Sequence, residues 1–250
     1  MPTRVDPHVK ILDDDVVARA KARGIDVLVY APHFTRLPDV RTRARHHTDD
    51  ELLVVPAREI FTGSWRDRKH VLAIGLDRPV PDFISLDGAM GALARHADAV
   101  LAPHPAFLTV SLSKSDLHRY ADVVDGVEVY NPKHLPAHNR NARQLARSSG
   151  VPAFGSSYAH LPTTVGEVWT EFDRDIESAD DLTAALGDGA SRSVHHRTGV
   201  GHQARCALEI AHLGYENTWK KVDRLFLSGM EPTHPDHIAY DGDFDEVSVY

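Results

Sequence analysis

Short apolar, β-branched runs recur through the first 155 residues, and stretches with helical patterning separate them. The runs lie at 5–9, 27–31, 52–57, 70–75, 99–103, 127–130 and 152–155. Strands that alternate with helices in this way build a sheet by repeated β/α units. Of the helical stretches, 14–23 is the clearest: Val16, Val17 and Ala20 share one face, and Gly24 suits a left-handed cap. Others are expected near 86–96, 114–121 and 138–148. Seven strands, each followed by a crossover, within about 160 residues fit a compact barrel better than an open sheet.

The texture changes after residue 173. A short helix is expected over 180–186, a turn-rich linker over 187–193 and a longer helical segment over 201–227. From Met230 the chain is acidic and rich in Pro and Gly, as in an irregular arm. The expected organisation is therefore a β/α barrel over 1–173, with a helical extension and acidic arm over 174–250.

Composition narrows the chemistry. A net charge of −8 lacks the basic face that broad nucleic-acid binding needs, although a local phosphate pocket stays compatible with it. No run of about 18 apolar residues occurs, and the opening MPTRVDPHVK has no apolar signal core, so a cytoplasmic protein without a membrane span is expected. The single cysteine, Cys206, excludes an internal disulfide and a thiolate zinc cage. Seventeen histidines point instead to a site of imidazole and carboxylate, which suits zinc, manganese or iron.

Most of these histidines have ordinary explanations. His46, His47, His96, His118, His195 and His196 lie in polar or helical contexts, His134 and His138 border a Pro-containing loop, and His202, His212, His234 and His237 belong to the C-terminal segment. The set His8, His33, Glu59, His70, His104 and His160 differs, because its members fall at or just beyond the ends of the apolar runs. In a β/α barrel, reactive side chains collect at the C-terminal ends of the strands. Converging there, five imidazoles and a carboxylate would present lone pairs that divalent cations satisfy. Arg66, Arg68 and Lys69, between Glu59 and His70, are candidate phosphate donors, as are Arg36 and Asn131.

The succession VDPHVKI, DVLVYAPHFT, LLVVPAREIFT, KHVLAIGL, AVLAPHPAF, VDGVEVYNP and GSSYAHLPTTVGEVWTEF resembles the polymerase and histidinol phosphatase (PHP) family over residues 1 to about 173. The segment HLGYENTWKKVDRLFLSG resembles the extension attached to some of its members. The resemblance implies a distorted seven-stranded β/α barrel, up to three divalent metals, and hydrolysis of phosphate esters by activated water. Its substrates would be nucleotides, nucleoside bisphosphates or oligonucleotide ends.

The family pattern is only partly kept. Where it has a His-x-His pair, the chain reads His8-Val9-Lys10; the Ser-Asp-Gly loop is missing; and the Asp-His pair appears as Pro32-His33. The closing Ser-Asp-x-His reads Ser157-Tyr158-Ala159-His160. Glu59, His70 and His104 match one metal's ligand set completely. The resemblance thus implies one metal at those three residues, matches His8 to the first histidine ligand of the pattern, and leaves His33 and His160, with a water or Asp6, for a weak second. Lys10 would supply fixed charge, and His33 or His160 would move protons. The competing expectation is a barrel that has lost catalysis and serves as a binding or regulatory module.

Overall fold

The computed structural model describes residues 1–64, 67–105, 110–215 and 231–249. Arg66, and the part of the expected 201–227 helix beyond Tyr215, lie outside the described residues. All seven expected strands form: β1 (Thr3–Val9), β2 (Val27–Tyr30), β3 (Leu53–Thr62), β4 (Lys69–Ile74), β5 (Ala99–Ala102), β6 (Gly126–Tyr130) and β7 (Ala153–Gly155). Two more follow, β8 (Val168–Phe172) and β9 (Arg192–His196), so the sheet has nine strands where seven were expected. The linker expected over 187–193 runs into β9. Its sequence RSVHH carries one apolar side chain, and pairing with β8, rather than any apolar alternation of its own, makes it a strand.

The helices are α1 (Asp14–Ala22), α2 (Leu37–His47), α3 (Leu86–His96), α4 (Lys114–Arg119), α5 (Pro136–Ser149), α6 (Ala179–Gly187) and α7 (Val200–Tyr215). Local chemistry sets their ends. Asp13 caps α1 by accepting from Val16 N at 2.9 Å, and Gly24 beyond it takes φ +68°. Sequence patterning overlooked α2, because its apolar stripe of Leu37, Val40 and Ala44 is spread among Arg and His side chains.

The strands form one sheet in the order β7-β6-β5-β4-β3-β2-β1-β8-β9. Pairs β1–β2, β2–β3, β5–β6 and β6–β7 are parallel, whereas β3–β4, β4–β5, β1–β8 and β8–β9 are antiparallel. The expected uniform run of crossovers is therefore broken, since β3 and β4 form a hairpin.

Side chains draw the ends of the sheet together into a nearly closed barrel. Thr170 Oγ1 on β8 accepts from Gly155 N at 3.0 Å and donates to Gly155 O at 2.9 Å. Arg192 on β9 donates to Ala153 O at 3.0 Å and Asp125 O at 3.1 Å. Only glycine permits this approach, because a Cβ at residue 155 would overlap Val194. Val27, Val29, Leu72, Leu101 and Phe154 fill the interior, and Leu182 and Leu186 of α6 pack into the same cluster. One apolar layer under α1 and α2 and another under α3 and α5 complete the core.

Candidate metal centre

Strand geometry assembles the site. Glu59 and Phe61 are two apart on β3 and so share a face, and His70 on β4 stands directly opposite Phe61. The hairpin therefore points Glu59 and His70 the same way. On β1 the register with β2 shifts between Asp6 and Val9, around Pro7, which has no N–H to give the ladder. His8, within that irregularity, is fully buried beside Glu59. His104 follows β5 with φ +34°, and its N–H donates to Glu128 Oε2 at 2.6 Å. Glu128 is held in turn by Asn131 Nδ2 at 3.1 Å and by the Ser156 hydroxyl.

The Glu59 carboxylate, fully buried, has two differently populated sides. Oε1 faces His104 Nε2 at 3.1 Å, His70 Nδ1 at 3.4 Å and His8 Nε2 at 3.7 Å. Oε2 faces Lys10 Nζ at 2.6 Å and His33 Nδ1 at 3.1 Å. One donor atom each from Glu59, His70 and His104 lies within 4.8 Å of the others, and among the described residues no other such group does so.

Burial acts against charge throughout this cluster. It would raise the Glu59 carboxyl, but the Lys10 ammonium holds it well below the usual range. Burial, helped by Lys10, drives His8 well below an ordinary imidazole and His33 to about 4. Burial likewise lowers His70 to about 4, against the pull of Glu59. Neutral imidazoles beside an ionised carboxylate form a donor set ready for a cation. Both ring nitrogens of His8 and Nε2 of His70 are buried with no hydrogen-bond partner among the described residues. Buried polar atoms are normally satisfied, so a divalent ion or water fits these residues.

The far side of the mouth carries groups that sequence reading did not single out. Lys133, buried after β6, places Nζ against His160 Nδ1, 3.3 Å from Glu209 Oε2 and 4.0 Å from the centre of the Tyr158 ring. Glu209 comes from α7. Its Oε1 accepts from the N–H groups of His160 at 3.0 Å and Leu161 at 2.9 Å, and from the Thr164 hydroxyl. A lysine in a Tyr-Asn-Pro-Lys turn and a glutamate on a distant helix carry no local signal of this role. His160 lies beside His33, with ring centres 5.5 Å apart.

Three aromatic rings wall the entrance beside His33 and His70. Phe34 lies 4.7 Å from Phe61 and 5.6 Å from Phe83, and Phe61 lies 3.8 Å from His70. The Arg68 guanidinium sits over Phe83 at 5.4 Å. Phe34, Phe83, His104 and Tyr158 all adopt positive φ, a strained backbone that tends to collect at functional sites.

Other candidates have other partners. Arg36 pairs with Asp39 at 3.1 Å on the surface, and Lys69 pairs with Asp116. Asn131 belongs to the buried layer that supports Glu128. Asp6 accepts from Ser157 N at 2.9 Å and Gly166 N at 3.1 Å, so it ties β1 to two loops.

Comparison with known proteins bears on the fold. Residues 136–191 match the family model described as PHP-associated. The likeness to PHP proteins lies in that segment. Among solved structures, this chain is similar to PsfC from Pseudomonas syringae PB-5123, with TM-score 0.62 and 21% identity over 87% of this chain and 99% of that one. It is also similar to the lesion-specific endonuclease EndoQ from Pyrococcus furiosus, with TM-score 0.54 and 15% identity over 78% of this chain and 58% of that one. An amidohydrolase from Chromobacterium violaceum, solved with sulfate and no metal, gives TM-score 0.51 and 14% identity over 77% of this chain and 97% of that one. At these identities the likeness concerns the fold. No curated protein matches the sequence. No helix among the described residues is long and apolar enough to cross a membrane.

Proposed function

We propose that this PHP-like chain is a metal-dependent phosphoesterase acting on a phosphate ester of nucleotide type. The observation that carries the reading is the convergence of His70 and His104 on one oxygen of the buried Glu59 carboxylate. Three protein ligands leave coordination positions open, as a catalytic rather than a structural site requires. Glu59, His70 and His104 would hold the ion, with His8 next to them. A divalent ion there supplies Lewis acidity toward a phosphoryl oxygen and toward the attacking water.

The chain's own groups do the rest. Lys10 offsets the charge on Glu59 Oε2 and holds that oxygen on the side away from His8, His70 and His104. His33 and His160, both with depressed basicity, flank the mouth as neutral imidazoles able to take a proton from water or return one to a leaving oxygen. The partly exposed ring of Phe34, backed by the buried rings of Phe61 and Phe83, offers a stacking surface for a flat organic group, and Arg68 brings positive charge beside Phe83. That combination favours a nucleotide, nucleoside bisphosphate or oligonucleotide end over a small alkyl phosphate.

The test is hydrolysis of nitrophenyl phosphates, nucleoside bisphosphates and short oligonucleotides with manganese, zinc or iron. Turnover should need a metal and be lost in Glu59→Gln. One observation favours the second reading, a catalytically silent binding or regulatory module: an ammonium already occupies the Oε2 side of Glu59. Tight nucleotide binding without turnover under any metal would select that reading.

A further inference from the structure

Two lysines lie inside the cluster where cations are expected. Lys10 is 6% exposed and Lys133 is 4% exposed. Burying an ammonium is costly unless it is paired, and each is paired with a carboxylate. Lys10 Nζ sits between Glu59 Oε2 and Ala31 O, at 2.6 Å from both. Lys133 Nζ sits against His160 Nδ1 and 3.3 Å from Glu209 Oε2. Tyr158 separates the two, with the ring centre 5.6 Å from Lys10 Nζ and 4.0 Å from Lys133 Nζ.

These contacts divide the donor atoms of the mouth. On the Oε1 side of Glu59, imidazole nitrogens approach and no ammonium among the described residues intrudes. On the other side, the carboxylate oxygen a second divalent ion would need is held by an ammonium. Glu59 Oε2 is engaged by Lys10 and His160 Nδ1 by Lys133, which leaves His33 and the Nε2 atom of His160 there, next to two ammonium groups. A divalent ion placed at that side would displace an ammonium or share a carboxylate with one, and like charges at such separations repel strongly in a buried site.

We propose that Lys10 and Lys133 are fixed cations built into the chain, so that the centre takes one divalent ion, on the Oε1 side of Glu59, and no second. The inference rests on reading the cluster as a metal centre and adds its stoichiometry and the residues that set it. Both lysines act through other residues, so they are positioning residues. Lys10 is the nearer, and its charge opposes the ion that Glu59 helps to hold.

The experiment is calorimetric titration of the full chain, first stripped with chelator, with manganese or zinc chloride, and elemental analysis after dialysis. Wild type is expected to bind one ion per chain. Lys10→Gln keeps a hydrogen-bond donor for Oε2 but removes the charge, and should tighten that site at least tenfold. Lys10→His adds an imidazole and should raise the count to two. Circular dichroism verifies folding; if both Lys10 variants unfold, Lys133→Gln carries the same readout, with a smaller tightening expected. Two ions in wild type would overturn the inference. So would one ion in Lys10→His together with unchanged affinity in Lys10→Gln, and so would unchanged affinity in Lys133→Gln where that variant carries the readout. Those results leave the phosphoesterase reading standing, whereas a wild type that binds no ion removes both.

Discussion

Glu209, on α7, holds the backbone of His160 by a 3.0 Å hydrogen bond across 49 positions of sequence. The same carboxylate reaches Leu161, Thr164 and Lys133, so α7 forms part of the mouth. A fully buried carboxylate with four partners is hard to replace. Glu209→Ala should cost about 2–4 kcal/mol in urea denaturation, because two backbone donors and an ammonium lose their acceptor. Thr164→Val, which removes one hydrogen bond, should cost about 1 kcal/mol. Equal effects from the two would show that Glu209 does not bear this load.

The Lys10–Glu59 pair makes a second prediction, through a double-mutant cycle. In metal-free protein, Lys10→Met or Glu59→Gln alone strands a buried partner and should cost about 3–5 kcal/mol. The double variant should cost clearly less than the sum, and chemical denaturation of all four proteins measures the coupling. Additive losses would mean the 2.6 Å contact contributes nothing specific.

Much of this was legible before the structure. All seven apolar runs became strands because β-branched residues between helices leave little alternative, and Glu59, His70 and His104 meet as the family resemblance implied. Strand β9 and helix α2 were not legible, because tertiary pairing and a sparse apolar stripe, rather than local pattern, create them. The Lys133–Glu209 half of the mouth was hidden for a related reason. A buried lysine and a helical glutamate read as solvent-facing until the fold brings them within 3.3 Å.

Phe34 supplies a third prediction. Its ring, partly exposed against Phe61 and Phe83, is placed to stack on a base. Stacking contributes about 1–3 kcal/mol per base, so Phe34→Ala should raise KM for nucleotide substrates about tenfold. KM for a small alkyl phosphate should barely move. A uniform change across both substrates would remove the stacking role.

Acid should destabilise the fold. Burial lowers His33 and His70 to about 4 and His134 to about 3, so the folded chain holds them neutral while the unfolded chain protonates near 6.5. The unfolded state then binds more protons, and stability present above pH 6.5 is lost as pH falls toward 4. Each such histidine steepens the loss by up to about 1.4 kcal/mol per pH unit. Melting temperature from pH 7.5 to 4.5 measures it. A flat profile would contradict the buried, neutral imidazoles.

Phosphate release from a nucleoside bisphosphate, with manganese added to chelator-stripped protein, tests the central claim most directly, with wild type and Glu59→Gln side by side. Turnover is expected in wild type only when metal is present, falling at least a hundredfold in Glu59→Gln while circular dichroism shows both folded. Metal-independent turnover, or equal rates in the two proteins, would contradict a catalytic centre built on Glu59, His70 and His104.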